Sequence, residues 1–231
     1  MNPMNRYTHL FFDLDDTLLD FKATERKSFI QLMVDNGLPF SEGILERYNQ
    51  INQSVWQDLE KHLISSAEVK VRRFELFCRE FGYAIDPGEL SRQYLANLGK
   101  GVDRVEGADD LLSRLAGKYN LALITNGLSV VQNPRIKRSG FDQIFSAITI
   151  SEEVGVSKPS NAFFEIAWER AGKPEKAKTL VVGDSLSSDM KGGIDFGMDT
   201  CWFNPHGLKG GMPVTYEIRS LPELLPILGL V

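Results

Sequence analysis

Acidic residues are crowded near the amino terminus of the chain. Asp13, Asp15 and Asp16 fall within four positions and directly follow the apolar stretch HLFF at residues 9–12. Carboxylates this close at the dry end of a strand repel one another, at a cost on the order of several kcal/mol, unless a cation or a proton lies among them. The cluster therefore either spreads over a solvated loop or surrounds a positive charge.

Other polar residues follow three later apolar runs. They are Thr125, Asn126 and Gly127 at the end of NLALIT, Lys158 beyond SAITIS, and Asp184 and Asp189 at and beyond the end of TLVVGD. In an open parallel sheet, ligands bind at the carboxyl ends of the strands, where the loops turn away. We expect these side chains to meet the acidic cluster at that edge.

A magnesium-dependent phosphoryl site is the economical explanation of this pattern. Mg²⁺ takes oxygen ligands in octahedral geometry and keeps several waters. Asp13 and Asp184 would supply carboxylate oxygens from neighbouring strand ends, and Asp15 would add its backbone carbonyl. Asp189 would hold a metal-bound water in an outer position. The ion would neutralise the cluster and permit ionised acids at the end of a strand.

The elements that must position these residues alternate along the chain. Short apolar runs typical of buried strands occupy residues 10–13, 120–125, 146–151 and 179–184, with a weaker one at 200–204. Helical patterns lie between or after them at residues 107–119, 161–172 and 186–197. This alternation predicts an α/β fold with a Rossmann-like open parallel sheet and helices on both faces.

The segment from residue 21 to residue 100 differs because it contains no strand-like run. It carries amphipathic helical patterns at residues 22–37, 41–62, 66–82 and 87–99, each with a cap residue or a glycine stop. We therefore predict an inserted helical-bundle cap at 21–100 and a core formed by 1–20 and 101–231. The polar, glycine-rich stretch near residues 98–106 and the stretch near 18–22 are the expected hinges.

Composition limits the classes of function. The chain has 231 residues, 42% of them hydrophobic, which is enough for a substantial core, and its net charge of −5 argues against a nucleic-acid binder. Cys78 and Cys201 lie far apart in the sequence, which argues against both a disulfide framework and a thiolate zinc site. Because the sequence shows neither a signal-peptide pattern nor a membrane-spanning run, we expect a cytoplasmic protein that does not bind membranes.

Four of these features, taken in order, resemble the motifs of the haloacid dehalogenase (HAD) superfamily of hydrolases. The features are Asp13-Leu14-Asp15-Asp16-Thr17, the strand ending in Thr125, the pair Lys158-Pro159, and Gly183-Asp184 followed by Asp189. The resemblance covers nearly the whole chain. The helical insertion lies between the first two motifs, where this superfamily commonly carries a helical cap.

The resemblance implies a role for each motif residue. Asp13 would attack phosphorus and become an aspartyl phosphate, and Asp15 would protonate the leaving oxygen and then activate water. Lys158 would neutralise charge on Asp13 and on the phosphoryl group. Thr125 would bind the phosphoryl oxygens, and backbone amides near Asn126 and Gly127 would bind them as well. Mg²⁺ would be the cofactor.

A narrower resemblance is to the noncanonical pyrimidine nucleotidases, one branch of this superfamily. It rests on ITNG, ISEEVGVSKPS, VVGDSLSSDMKGGIDFG, TCWFNP and the cap fragment at residues 52–74, with Trp56 and Arg73 as candidate specificity residues. It implies a 5′-nucleotidase that acts on a small phosphate ester, with pyrimidine nucleoside monophosphates favoured, working as a monomer or a homodimer. Packing within the cap core is the competing explanation for Trp56.

Other functions fit parts of the pattern. A sugar-phosphate or phosphoglycolate-type phosphatase and a phosphomutase would use the same residues. A dehalogenase would share Asp13 but would not need Asp15, because no leaving oxygen then requires a proton. A non-catalytic regulatory or binding protein on this fold is the alternative of another class, although such a relative would usually have lost a key acid or the lysine, and neither is lost here.

Overall fold

The computed structural model describes residues 6–61 and 63–230, within which six strands form one parallel sheet in the order β3-β2-β1-β4-β5-β6. The strands are β1 His9–Phe12, β2 Asn120–Thr125, β3 Ala147–Ile150, β4 Thr179–Gly183, β5 Asp199–Phe203 and β6 Tyr216–Ile218. The predicted strands are all present, with bounds that differ by at most one residue at either end. The sequence patterns missed β6, whose three residues follow a polar loop.

The central strand β1 explains why the apolar runs are continuous rather than alternating. It pairs in parallel with β2 on one side and β4 on the other. Leu10 and Phe12 pack into the hydrophobic cluster on one face of the sheet, and Phe11 packs into the cluster on the opposite face. Both faces are therefore covered, as expected for a parallel sheet.

The helices outside the insertion cover these two faces. They are α5 Ala108–Leu115, α6 Ser129–Arg138, α7 Ser151–Val154, α8 Asn161–Arg170, α9 Lys191–Phe196 and α10 Leu224–Ile227. Side chains of α5, α6 and α10 join one apolar cluster, whereas those of α8 and α9 join the other. The predicted helix at 186–197 is divided into a π-helical turn, Leu186–Met190, and α9. The α/β fold class predicted from the sequence is thus confirmed.

The inserted helices form a bundle with an aromatic core. They are α1 Phe21–Asp35, α2 Glu42–Glu60, α3 Ser66–Phe81 and α4 Pro87–Leu98. The second predicted helix ends at residue 62, which lies outside the described residues. Tyr48 lies at the centre of the bundle, with its ring 4.5 Å from Phe29 and 5.5 Å from Tyr94. Leu128 and Val131, from the core side of the molecule, complete this cluster and join the cap to α6.

The two segments that connect the cap to the core run side by side. Leu19 and Arg104 form an antiparallel bridge, and the Asp20 backbone N–H donates to the carbonyl of Asp103 over 2.9 Å. The Asp103 carboxylate also accepts from Thr24 and pairs with Lys27 on α1. The predicted hinges fall on these paired connections, and movement at them stays a prediction. No helix in the described segments is long and apolar enough to cross a membrane.

The close approach of α9 to the sheet supplies a test of the packing. A Cβ at Gly193 would lie 2.7 Å from Thr200 Cγ2 and 3.1 Å from Val181 Cγ2, on strands β5 and β4. We expect Gly193→Ala to lower the free energy of unfolding by about 1–3 kcal/mol in urea denaturation, because the helix must move away from the sheet. Gly211→Ala, where a Cβ meets open space, is the control. Equal stability of the two variants would contradict this packing.

Candidate functional site

The ammonium group of Lys158 lies at the centre of the site. It donates to Asp13 Oδ1 over 2.6 Å, to Asp189 Oδ1 over 2.7 Å and to the carbonyl of Ile124 over 3.0 Å. A lysine ammonium has three hydrogens, so its donor capacity is fully used. Lys158 is 3% exposed, Asp13 5% and Asp189 1%, so the charges are held in a largely dry environment. The geometry joins the first, third and fourth sequence motifs around one cation.

Burial and mutual repulsion set the protonation of these acids. Burial raises the pKa of Asp13 well above its ordinary value; Lys158 opposes this shift, and the nearby carboxylates of Asp189 and Asp184 add to it. Burial, followed by repulsion from Asp189, raises the pKa of Asp184 to about 7. Burial alone would lower the pKa of Lys158, but attraction to Asp13 and Asp189 raises it above its ordinary value. The lysine therefore stays charged.

Asn126 positions the loop that carries Lys158. Its Oδ1 accepts from the Lys158 backbone N–H, and its Nδ2 donates to the Lys158 carbonyl, both over 2.8 Å. This two-way pairing ties the end of β2 to the loop between α7 and α8, a contact that the sequence patterns did not reveal. The phosphate-binding role of Asn126 and Gly127, which depends on backbone amides, stays a prediction.

Asp184 is held by neighbours from two other segments. Its backbone N–H donates to Thr17 Oγ1 over 3.1 Å, and its carbonyl accepts from Trp202 Nε1 over 2.8 Å. Thr17 thus connects the loop after β1 to the end of β4. Oxygen atoms of Asp13, Asp184 and Asp189 all lie within 4.8 Å of one another. This donor set suits a hard divalent cation.

The carboxylate of Asp15 has partners on α6. It accepts from Gln132 Nε2 over 2.7 Å and forms an ion pair with Arg135, while Gln132 Nε2 also lies 2.9 Å from Thr125 Oγ1. Sequence reasoning missed both α6 residues. The available signal was their spacing, because residues three apart share one face of a helix, and this helix begins shortly after Thr125.

Asp16 acts on the backbone rather than on the acidic cluster. It adopts a left-handed conformation, with φ of 59°, and its Oδ1 accepts from the backbone N–H groups of Phe21, over 3.0 Å, and Lys22, over 3.3 Å. The carboxylate thereby supports the beginning of α1.

The candidate specificity residues lie in the cap. Trp56 is half-buried and packs against the aromatic cluster of the bundle. Arg73 is 2% exposed, donates to Asn52 Oδ1 over 3.1 Å and lies with its guanidinium carbon 5.0 Å from the ring centre of Tyr94. These contacts place both residues in the packed cap. Their role in substrate selection stays a prediction.

A cleft of about 950 Å³ opens between the start of α1 and the core loops that follow β4, β5 and β6. Asp16 and Asp184 lie on its wall, so it connects directly to the acidic end of the sheet. The lining carries basic side chains, Lys22, Arg26, Arg104 and Arg219, and an equal number of acidic ones, Asp16, Asp20, Glu106 and Asp184. The cleft therefore offers room for a small organic molecule, with both signs of charge on its walls.

The two hydrogen bonds of Asn126 generate a testable expectation. Asn126→Ala should lower the free energy of unfolding by about 1–3 kcal/mol, because the buried backbone groups of Lys158 lose their partners. Asn133→Ala, which removes an exposed side chain bonded to Glu153, should change stability by less than about 0.5 kcal/mol. Urea denaturation of both variants checks this, and an Asn126→Ala variant as stable as the parent would refute the positioning role.

Comparison with known proteins agrees with this geometry. The haloacid dehalogenase-like hydrolase family matches residues 7–197. HAD-hydrolase YfnB of Bacillus subtilis is 39% identical over 230 residues, covering 98% of this chain and 97% of that protein. Its magnesium-bound crystal structure, which reveals interdomain movement, superposes with a TM-score of 0.90 at 38% identity and covers 97% of this chain and all of that one.

Two further relatives carry names that describe an activity. Pyrimidine 5′-nucleotidase PynA of Streptococcus pneumoniae is 36% identical, over 96% of this chain and 95% of that protein. Pyrimidine 5′-nucleotidase YjjG of Escherichia coli is 32% identical, over 96% of this chain and 98% of that protein. The resemblance drawn from the four motifs is confirmed, and the chain belongs to the haloacid dehalogenase-like hydrolase family of enzymes.

Proposed function

We propose that the protein is a magnesium-dependent phosphomonoester hydrolase that works through an aspartyl phosphate on Asp13. The observation that carries this proposal is the buried Lys158 ammonium, which lies 2.6 Å from Asp13 at the end of β1. A phosphoryl group brought to Asp13 would meet a fixed positive charge there, and electrostatic stabilisation is the main requirement of phosphoryl transfer. The family match supports the same conclusion.

The first step forms a bond between an Asp13 carboxylate oxygen and phosphorus, and the bond from phosphorus to the leaving oxygen breaks. Lys158 neutralises charge that gathers on the transferring group, while Thr125 binds a phosphoryl oxygen. Asp15 donates a proton to the leaving oxygen. In the second step Asp15 takes a proton from water, whose oxygen attacks phosphorus and releases phosphate and Asp13.

The residues present fit a magnesium ion. Asp13 and Asp184 would contribute carboxylate oxygens and Asp15 its carbonyl, while Asp189, whose Oδ1 is bound to Lys158, would stay in an outer position. When bound, Mg²⁺ would offset the repulsion among the acids and supply further positive charge beside the phosphoryl group. Burial, followed by repulsion from Asp189, raises the pKa of Asp184 to about 7, and a bound cation would favour its ionised form.

Pyrimidine nucleoside monophosphates are the substrates we propose. Two relatives at 36% and 32% identity are named pyrimidine 5′-nucleotidases. The cleft of about 950 Å³ beside Asp184 has room for a nucleoside. Sugar-phosphate phosphatase and phosphomutase activities are the competing outcomes. We further propose that the protein acts in the cytoplasm, as a monomer or a homodimer.

Substitution of the nucleophile tests the reaction. We expect Asp13→Asn to abolish phosphate release from p-nitrophenyl phosphate, because an amide cannot form the phosphoenzyme, and chelation of divalent cations to abolish it reversibly in the parent. Asp195→Asn, on the exposed side of α9 in an ion pair with Lys191, is the matched control and should retain full activity. Retention of turnover by Asp13→Asn would overturn the mechanism.

A substrate panel that compares UMP, dUMP and dTMP with sugar phosphates tests specificity. We propose that the cap selects the leaving group and does not reach the reacting phosphorus, so for Trp56→Ala we expect KM values to shift among these esters by more than kcat changes. Trp168→Ala, which removes a tryptophan from α8, controls for general loss of packing. Equal loss of kcat for every ester would count against a selective role for Trp56.

A further inference from the structure

Arg135 is a fully buried cation outside the set of residues assigned to the reaction. It lies on α6 with an exposed fraction of 0%, and its Nη1 forms the ion pair with Asp15. The same Nη1 donates to Gln132 Oε1 over 2.9 Å. Because a buried charge is strongly unfavourable without a partner, the Asp15 carboxylate and the guanidinium constrain each other.

The other side of this guanidinium contacts the connections to the cap. Arg135 Nε donates to the carbonyl of Gly101 over 3.0 Å, in the segment between α4 and α5. The guanidinium carbon also lies 5.4 Å from the ring centre of Phe21, the first residue of α1. One side chain therefore contacts both connecting segments and the carboxylate of Asp15.

Gln132 extends this linkage to the end of β2. Its Nε2 lies 2.7 Å from Asp15 Oδ2 and 2.9 Å from Thr125 Oγ1, and its Oε1 accepts from Arg135. Gln132 is 2% exposed and Thr125 1%, so neither has freedom to adopt many positions. The group of contacts reaches from the hinge to two residues of the proposed reaction.

We propose that Arg135 is a positioning residue that couples the hinge of the cap to Asp15, with Gln132 as its support. The guanidinium is planar and its donors have fixed directions, so a shift of the Gly101 carbonyl relative to α6 alters the orientation of the donor that holds Asp15. Movement of the cap thereby changes the position of the Asp15 carboxylate relative to the leaving oxygen. The inference rests on the acid and base roles proposed for Asp15.

The dependence of rate on the leaving group tests this coupling. Nitrophenolate leaves without a proton, whereas the 5′ oxygen of UMP requires one, so a misplaced Asp15 harms the first step with UMP selectively. For Arg135→Met we expect kcat/KM to fall by about 100-fold or more with UMP and by less than about 10-fold with p-nitrophenyl phosphate. The phosphoenzyme should also accumulate in acid-quenched reactions with the nitrophenyl ester, because Asp15 is needed again for its hydrolysis.

Further variants separate positioning from folding. Arg138→Met changes an exposed arginine on the same helix and should keep the parental ratio of the two kcat/KM values. Gln132→Leu and Arg135→Lys should both show the selective loss, since leucine donates no hydrogen bond and lysine cannot reach Gly101 and Asp15 together. They also keep the test decisive if Arg135→Met does not fold, as judged by thermal unfolding.

The outcomes distinguish this inference from the proposed function. Equal losses with both esters, no loss, or a parental ratio in Arg135→Lys would overturn the coupling while leaving the phosphatase assignment intact. Absence of any phosphoenzyme in the parent and in every variant would instead remove the aspartyl-phosphate mechanism on which the coupling rests.

Discussion

A lysine held between two buried carboxylates is the interaction on which the site depends. Lys158 pairs with Asp13 and Asp189, and each partner comes from a different segment of the chain. Removing Lys158 would leave two buried carboxylates without a cation, which is strongly unfavourable. The end of β1, the turn after β4 and the loop between α7 and α8 are therefore tied together by electrostatics, and β1 and β4 also by the hydrogen bonds of the sheet.

Order around this ion pair comes from side chains that bind the backbone of the residues in the site. Asn126 holds the backbone of Lys158 through two hydrogen bonds of 2.8 Å, and Thr17 binds the backbone of Asp184. Such supporting contacts fix the orientation of the groups that act on the substrate, which is what catalysis by positioning requires. The segment that returns from the cap to the core is joined to the same framework through Arg135, because its guanidinium contacts both Gly101 and Asp15.

Much of this arrangement could be predicted from sequence because it depends on local patterns. Continuous apolar runs located β1, β2 and β4, and the acids that follow them had to meet at one edge of a parallel sheet. The pairing of Asn126 with Lys158 and of Asp15 with Arg135 could not be predicted, because the partners are 32 and 120 residues apart and no pattern specifies their side-chain directions. The strand β6 was missed because three residues are too few to show a period.

The side-by-side connections of the cap have a consequence for how such proteins diversify. Because Leu19 and Arg104 are bridged, the polypeptide leaves the core and returns to it at almost the same point. A helical bundle inserted there can be lengthened, shortened or exchanged without breaking the strand order beneath it. Selection can therefore act on the range of molecules accepted while the residues that carry out the chemistry are inherited unchanged.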